Sequence, residues 1–156
     1  MLAKTITFTD YEGTERTETH YFNLDKAELT KWLTTTGEYT LDKVLLRLAH
    51  EQNGSKILEI FEDLIHRSYG RKSLDGRKFE KNEEIWLDFY QTGAYSELFM
   101  ELVTDATKAS AFINGIIPKK LADEVAKTLK ENKDGLPDEI KDYIPKDPDE
   151  APATSN

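Results

Sequence analysis

Along the first two dozen residues, apolar and polar positions alternate. In "TITFTDYEGTERTETHYF", Ile6 and Phe8 alternate with threonines, as in a half-buried strand. Asp10 to Gly13 carries turn chemistry, since glycine takes positive φ at no steric cost. Thr14 to Phe22 then alternates again, which predicts a β-hairpin. Two strands alone are marginal in water, so this hairpin must lie on an apolar surface.

From Asn23 the period lengthens to that of helices. Asp25 and Glu28 stand three apart, as in a capping box, ahead of Ala27, Leu29, Trp32 and Leu33. Gly37 ends that helix, and Thr40 can cap a second with Leu41, Val44, Leu45 and Leu48 on one face. The Asn53–Gly54 pair stops it. Ser55 opens a third, with Ile57, Leu58, Phe61, Leu64 and Ile65 on one side and Gly70 suited to its C-terminal end. "YGRKSLDGRKFEKN" reads as a loop shaped by Gly70 and Asp75–Gly76. Helical spacing resumes with Ile85, Trp86, Phe89 and Tyr90.

The most apolar block is "YSELFMELVTDATKASAFINGIIP", Tyr95 to Pro118. Thr92 is a candidate N-cap. Tyr95, Leu98, Phe99 and Leu102 form one stripe, and Met100 with Val103 a second. Asp105 can restart the helix, which Ala109, Phe112, Ile113 and Ile116 continue until Pro118 interrupts it. A helix apolar on more than one side is usually central to its fold. Phe99 and Phe112 are expected core residues.

The predicted fold is α+β and mostly α: an N-terminal hairpin packed on about six to seven short helices. Residues 1–118 form the core domain. Residues 119–144 form an amphipathic helical segment, in which Leu121, Val125 and Leu129 share a face and pack on the bundle in preference to a partner groove. Residues 145–156 form a disordered acidic tail, because four of the five prolines fall after Pro118 and little there can be buried.

Composition narrows the function. The chain has 156 residues, no cysteine and a formal net charge of −9. Disulfides, thiolate metal sites and cysteine nucleophiles are excluded together. The field of such a chain repels nucleic acid and anionic lipid, so neither is an expected partner. No apolar run approaches the roughly 20 residues of a membrane span. The N-terminal stretch lacks a continuous apolar segment, so secretion is not expected. The histidines, His20, His50 and His66, have no metal-ligand spacing and read as surface or helix-edge residues. No P-loop, GxGxxG, HExxH or GxSxG motif occurs. No catalytic residue, metal site or cofactor is expected.

One feature opposes the overall charge. Arg67, Arg71, Lys72, Arg77, Lys78 and Lys81 crowd into fifteen positions against Asp75 and Glu80. Arg67, Arg71, Lys72, Arg77 and Lys78 are the candidate partner-binding residues, suited to an acidic segment ahead of a phosphate. The competing reading is a solvated loop that balances carboxylates of the same molecule. The pattern shows no long exposed edge strand.

The strings "YGRKSLDGRKFEKN", "QTGAYSELFMELVTD" and "AFINGIIP", with "YFNLDKAEL" upstream, resemble a family of short proteins from tailed phages and prophages of Gram-positive bacteria, the tail assembly chaperones. The resemblance covers roughly residues 1 to 120. It implies a non-catalytic protein of the host cytoplasm that binds the long tape measure protein. The chaperone keeps that chain soluble until tail tube subunits polymerise around it. Many relatives also occur in a C-terminally extended, frameshifted form that recruits tube protein. The alternative is a structural accessory protein of head or tail that stays in the particle, and a host-directed regulator is a third class. Oligomeric state is left open by the sequence.

Overall fold

The computed structural model describes residues 1–36, 54–121 and 123. The predicted helix after Thr40, His50, and the segments beyond residue 123, with Val125, Leu129 and the acidic tail, lie outside the described residues. The rest forms an α+β fold. Strands β1 (Leu2–Thr9) and β2 (Glu15–Phe22) precede α1 (Lys26–Thr36) and α2 (Gly54–Ser68). Two short strands follow, β3 (Tyr69–Lys72) and β4 (Phe79–Glu80), then α3 (Glu83–Tyr90), α4 (Gly93–Thr104) and α5 (Ala106–Ile116).

The hairpin is as its alternation predicts. β1 and β2 run antiparallel from Leu2 opposite Phe22 to Thr9 opposite Glu15. One face carries Ile6, Phe8, His20 and Phe22, all buried. The other carries threonines whose hydroxyls meet across the strands, Thr5 to Thr19 and Thr7 to Thr17, each at 2.9 Å. At the turn, Asp10 Oδ1 accepts from Glu12 N and Thr14 N. Gly13 sits at φ +84°, the left-handed conformation this bulged turn requires.

The segment read as a loop contains a second hairpin. Gly70 and Tyr69 pair with Tyr21 and Phe22, and Arg71 and Lys72 pair with Glu80 and Phe79. The sheet order is β1-β2-β3-β4. Gly70 is therefore not a helix cap. A Cβ at this position would lie 2.5 Å from Phe79 Cε1 and 2.7 Å from the Glu80 carbonyl oxygen. The glycine lets β3 and β4 close.

The helix starts divide. The Asp25–Glu28 capping box is present and reciprocal: Glu28 N donates to Asp25 Oδ1 and Asp25 N to Glu28 Oε2. Asp105 caps α5 through Lys108 N, and Asn82 caps α3 through Ile85 N. Thr92 is at the N-cap position of α4 but caps nothing with its side chain; its hydroxyl donates back to the Phe89 carbonyl instead.

The core lies between the sheet's buried face and the helices. Phe22 is its centre, with edge-on contacts to Tyr69, Phe89 and Phe112 at centroid distances of 5.1 to 5.8 Å. Tyr69 stacks on Phe89 at 4.2 Å. Two backbone bonds stitch distant segments: Asn23 N to Ser68 O and Leu24 N to Ile116 O, both 2.7 Å. α4 packs against β1, α2, α3 and α5. Its first stripe is only partly interior, since Leu98 and Leu102 are buried while Tyr95 and Phe99 are half-buried. The second stripe divides: Val103 packs partly buried against the core, whereas Met100 is 53% exposed. Leu121, beyond Pro118, packs partly buried against the same core.

Candidate partner-docking surface

The basic island separates into two populations. Arg67 lies one turn from Asp63 on α2 and donates to both its carboxylate oxygens at 2.8 Å. Arg71 reaches from β3 to Asp88 on α3 at 2.6 Å, and that hydrogen bond raises its already high pKa. Lys81 turns inward: its ammonium donates to Glu28 and to the carbonyls of Asn23 and Arg67. These three cations balance groups of the same molecule, as the competing reading held. Lys72, Arg77 and Lys78 are exposed and make no ion pair with a described residue.

All three free cations belong to the β3–β4 hairpin, whose turn satisfies its own backbone. Ser73 N donates to Lys78 O at 2.9 Å, and Lys78 N to Ser73 Oγ at 3.0 Å. The Ser73 hydroxyl donates to Asp75 Oδ1 at 2.6 Å, which holds that carboxyl below its ordinary pKa, and Arg77 N reaches the same oxygen. Gly76 takes φ +73°. At the tip stands Leu74, wholly exposed. Sequence reasoning missed this leucine, because a lone apolar residue in a polar loop has no period to betray its orientation. The result is a self-braced finger with an exposed leucine at its tip and Lys72, Arg77 and Lys78 exposed in the same hairpin. That arrangement suits an acidic segment with an apolar anchor.

Two further features were not legible. A cleft of about 450 Å³ opens between α1, α2 and α3, where the His66 ring stacks on Trp86 at 4.3 Å. Two of its three acids are engaged, Glu28 by Lys81 and Asp63 by Arg67 and the Trp32 indole N–H; Glu83 is the third. Second, His20 is not a surface residue. It is 8% exposed, against Phe89 at 4.8 Å, with Nδ1 3.3 Å from the Tyr69 hydroxyl. Nε2 lies 3.6 Å from Glu18, too far for a hydrogen bond. Burial lowers the His20 pKa, against the opposing pull of Glu18. His66 is exposed on its helix, as expected. Among the described residues, no three His, Asp or Glu side chains converge as metal ligands would. No helix there is long and apolar enough to cross a membrane.

Comparison with known families supplies the context for this geometry. A family model described as phage tail assembly chaperone matches residues 1–155. The chain belongs to that family. No curated protein and no solved structure matches it. For a tail assembly chaperone the relevant surface is one that other tail proteins can grip. Among the cations of the island, Lys72, Arg77 and Lys78 make no ion pair with a described residue.

Proposed function

We propose that the chain is a non-catalytic chaperone that binds the tape measure protein and keeps it soluble in the host cytoplasm during tail morphogenesis. The β3–β4 finger is its electrostatic docking point, with Arg77, Lys78, Lys72 and Leu74. The observation that carries this reading is the contrast within one island: Arg67, Arg71 and Lys81 are consumed internally, whereas Lys72, Arg77 and Lys78 make no ion pair with a described residue. A contact built from a few charges and one leucine is reversible, as a helper that must later be displaced by tube subunits requires. The net charge of −9 keeps the complex soluble while the client is unassembled. A C-terminally extended form that also engages tube protein fits the same role.

The test is co-expression with the tape measure protein, followed by affinity purification of either partner. Co-purification that weakens as salt rises is expected. A tape measure protein that is equally soluble and unbound with or without this chain would remove the proposal. Abundant peptides of the chain in purified particles would favour a structural accessory protein.

A further inference from the structure

We propose that the outer edge of β1 is a self-association surface, on which β1 of a second copy of this chain pairs antiparallel. This surface is separate from the β3–β4 finger, and the inference does not depend on the identity of the client.

The direction of each backbone group in β1 can be counted from the turn. Asp10 N donates to Thr14 O at 2.8 Å, and Asp10 O accepts from Gly13 N at 3.0 Å, so Asp10 faces β2. Inward and outward residues alternate along an antiparallel strand. Phe8, Ile6, Lys4 and Leu2 therefore bond to β2, whereas Thr9, Thr7, Thr5 and Ala3 point their N–H and C=O groups away from it. The threonine hydroxyl contacts agree, because Thr5–Thr19 and Thr7–Thr17 fall at the closer, non-bonded pairs. Gly93 agrees as well: a Cβ there would sit 3.0 Å from Thr9 O, on the outer side. β1 ends the strand order, and no described strand pairs with its outer edge. It runs eight residues without proline, glycine or bulge, and such an edge is normally guarded. Its one charged residue, Lys4, is drawn over the buried face by Glu101. The sequence pattern suggests no long exposed edge strand; among the described residues, β1 is an eight-residue strand at the edge of the sheet.

A groove of about 520 Å³ follows this edge, walled by Thr5 and Thr7 on one side and by Glu97, Met100 and Lys108 on the other. α4 runs antiparallel to β1 along it, with Gly93 beside Phe8 and Glu101 beside Lys4. Met100 thus stands near Thr5, at the middle of the edge. A two-fold axis through Thr5 pairs Thr5 with its own counterpart and Ala3 with the partner copy's Thr7. The same axis brings the two exposed Met100 side chains together. A second copy therefore supplies both the strand and the apolar cover for Met100. The contact is of the small, transient class, so the dimer should be concentration-dependent.

The test is sedimentation velocity of the full chain over a wide concentration range. Wild type should shift reversibly from monomer to dimer. Thr5→Pro removes an outward N–H and the exposed Thr5–Thr19 hydroxyl contact but no β1–β2 backbone bond, so the hairpin tolerates it, and this variant should stay monomeric and folded with a modestly lowered unfolding midpoint. If Thr5→Pro unfolds, Met100→Glu serves instead, placing like charges at the axis on an exposed side chain; it too should be monomeric. Because the chain has no cysteine, Thr5→Cys should form a covalent dimer on oxidation. A wild type that stays monomeric throughout, or a dimer indifferent to Thr5→Pro and Met100→Glu, would overturn the inference. So would a monomer whose edge captures an extended segment of a tail protein.

Discussion

Lys81 Nζ lies 2.7 Å from Glu28 Oε1, and the same ammonium donates to the carbonyls of Asn23 and Arg67 at 2.7 and 2.8 Å. One side chain thereby ties the capping box of α1 to the end of β2, the last turn of α2 and the exit of β4. Lys81→Met leaves a half-buried carboxylate and two carbonyls short of a donor. It should lower stability by about 2–3 kcal/mol, measured by urea unfolding. The half-exposed Arg71–Asp88 pair is the control: Arg71→Met should cost under about 1 kcal/mol. Equal losses in the two variants would show that Lys81 is no more than another surface cation.

Gly70→Ala places a methyl group into the Phe79 ring and the Glu80 carbonyl. Neither the β4 backbone nor a half-buried ring can move away freely. A loss of about 1–3 kcal/mol is expected, together with faster amide exchange in β3 and β4. Gly54→Ala, where the space is open, should be harmless or stabilising.

Phe112→Ala and Phe99→Ala separate true core from apparent core. Phe112 is 2% exposed and packs edge-on against Phe22, so its truncation should cost about 3–5 kcal/mol. Phe99 is half-buried beside Tyr95 and should cost clearly less. The midpoints of chemical denaturation of the two variants give the comparison directly.

His20 makes stability depend on pH. Burial holds its folded-state pKa below the ordinary value of 6.5, so the unfolded chain takes up the proton first. Its contribution is complete above about pH 6.5 and is lost as pH falls toward the folded pKa. His20→Gln should abolish that part of the profile. Parallel pH profiles for wild type and variant across this window would refute the assignment.

Reversing Arg77 and Lys78 to glutamate should leave stability within about 0.5 kcal/mol of wild type, since neither side chain has a partner among the described residues. Affinity for the tape measure protein should fall, and so should its salt dependence. Arg67→Glu should change client binding little.

What could be read from the sequence was what local chemistry fixes. The hairpin follows from alternation around Ile6, Phe8 and Phe22, and the cap of α1 from the spacing of Asp25 and Glu28. The restart of the helix at Asp105 follows from its short carboxylate. β3 and β4 escaped because four and two residues show no alternation; they exist only because β2, distant in sequence, offers Tyr21 and Phe22 as a template. Met100 was assigned to the interior because spacing cannot tell a second buried stripe from an apolar rim. The candidate site was half legible: charge density marked the island, but Asp63, Asp88 and Glu28 decide which cations are free, and their proximity to Arg67, Arg71 and Lys81 is a property of the fold. Leu74 and the β1 edge became visible only once the sheet was assembled.

The bond from Leu24 N to Ile116 O joins the exit of the first hairpin to the last turn of α5. A ribosome-bound chain halted before Ile116 leaves that amide without its acceptor and the Phe22 ring without Phe112. The closing of the first hairpin onto this core therefore waits until α5 has been translated.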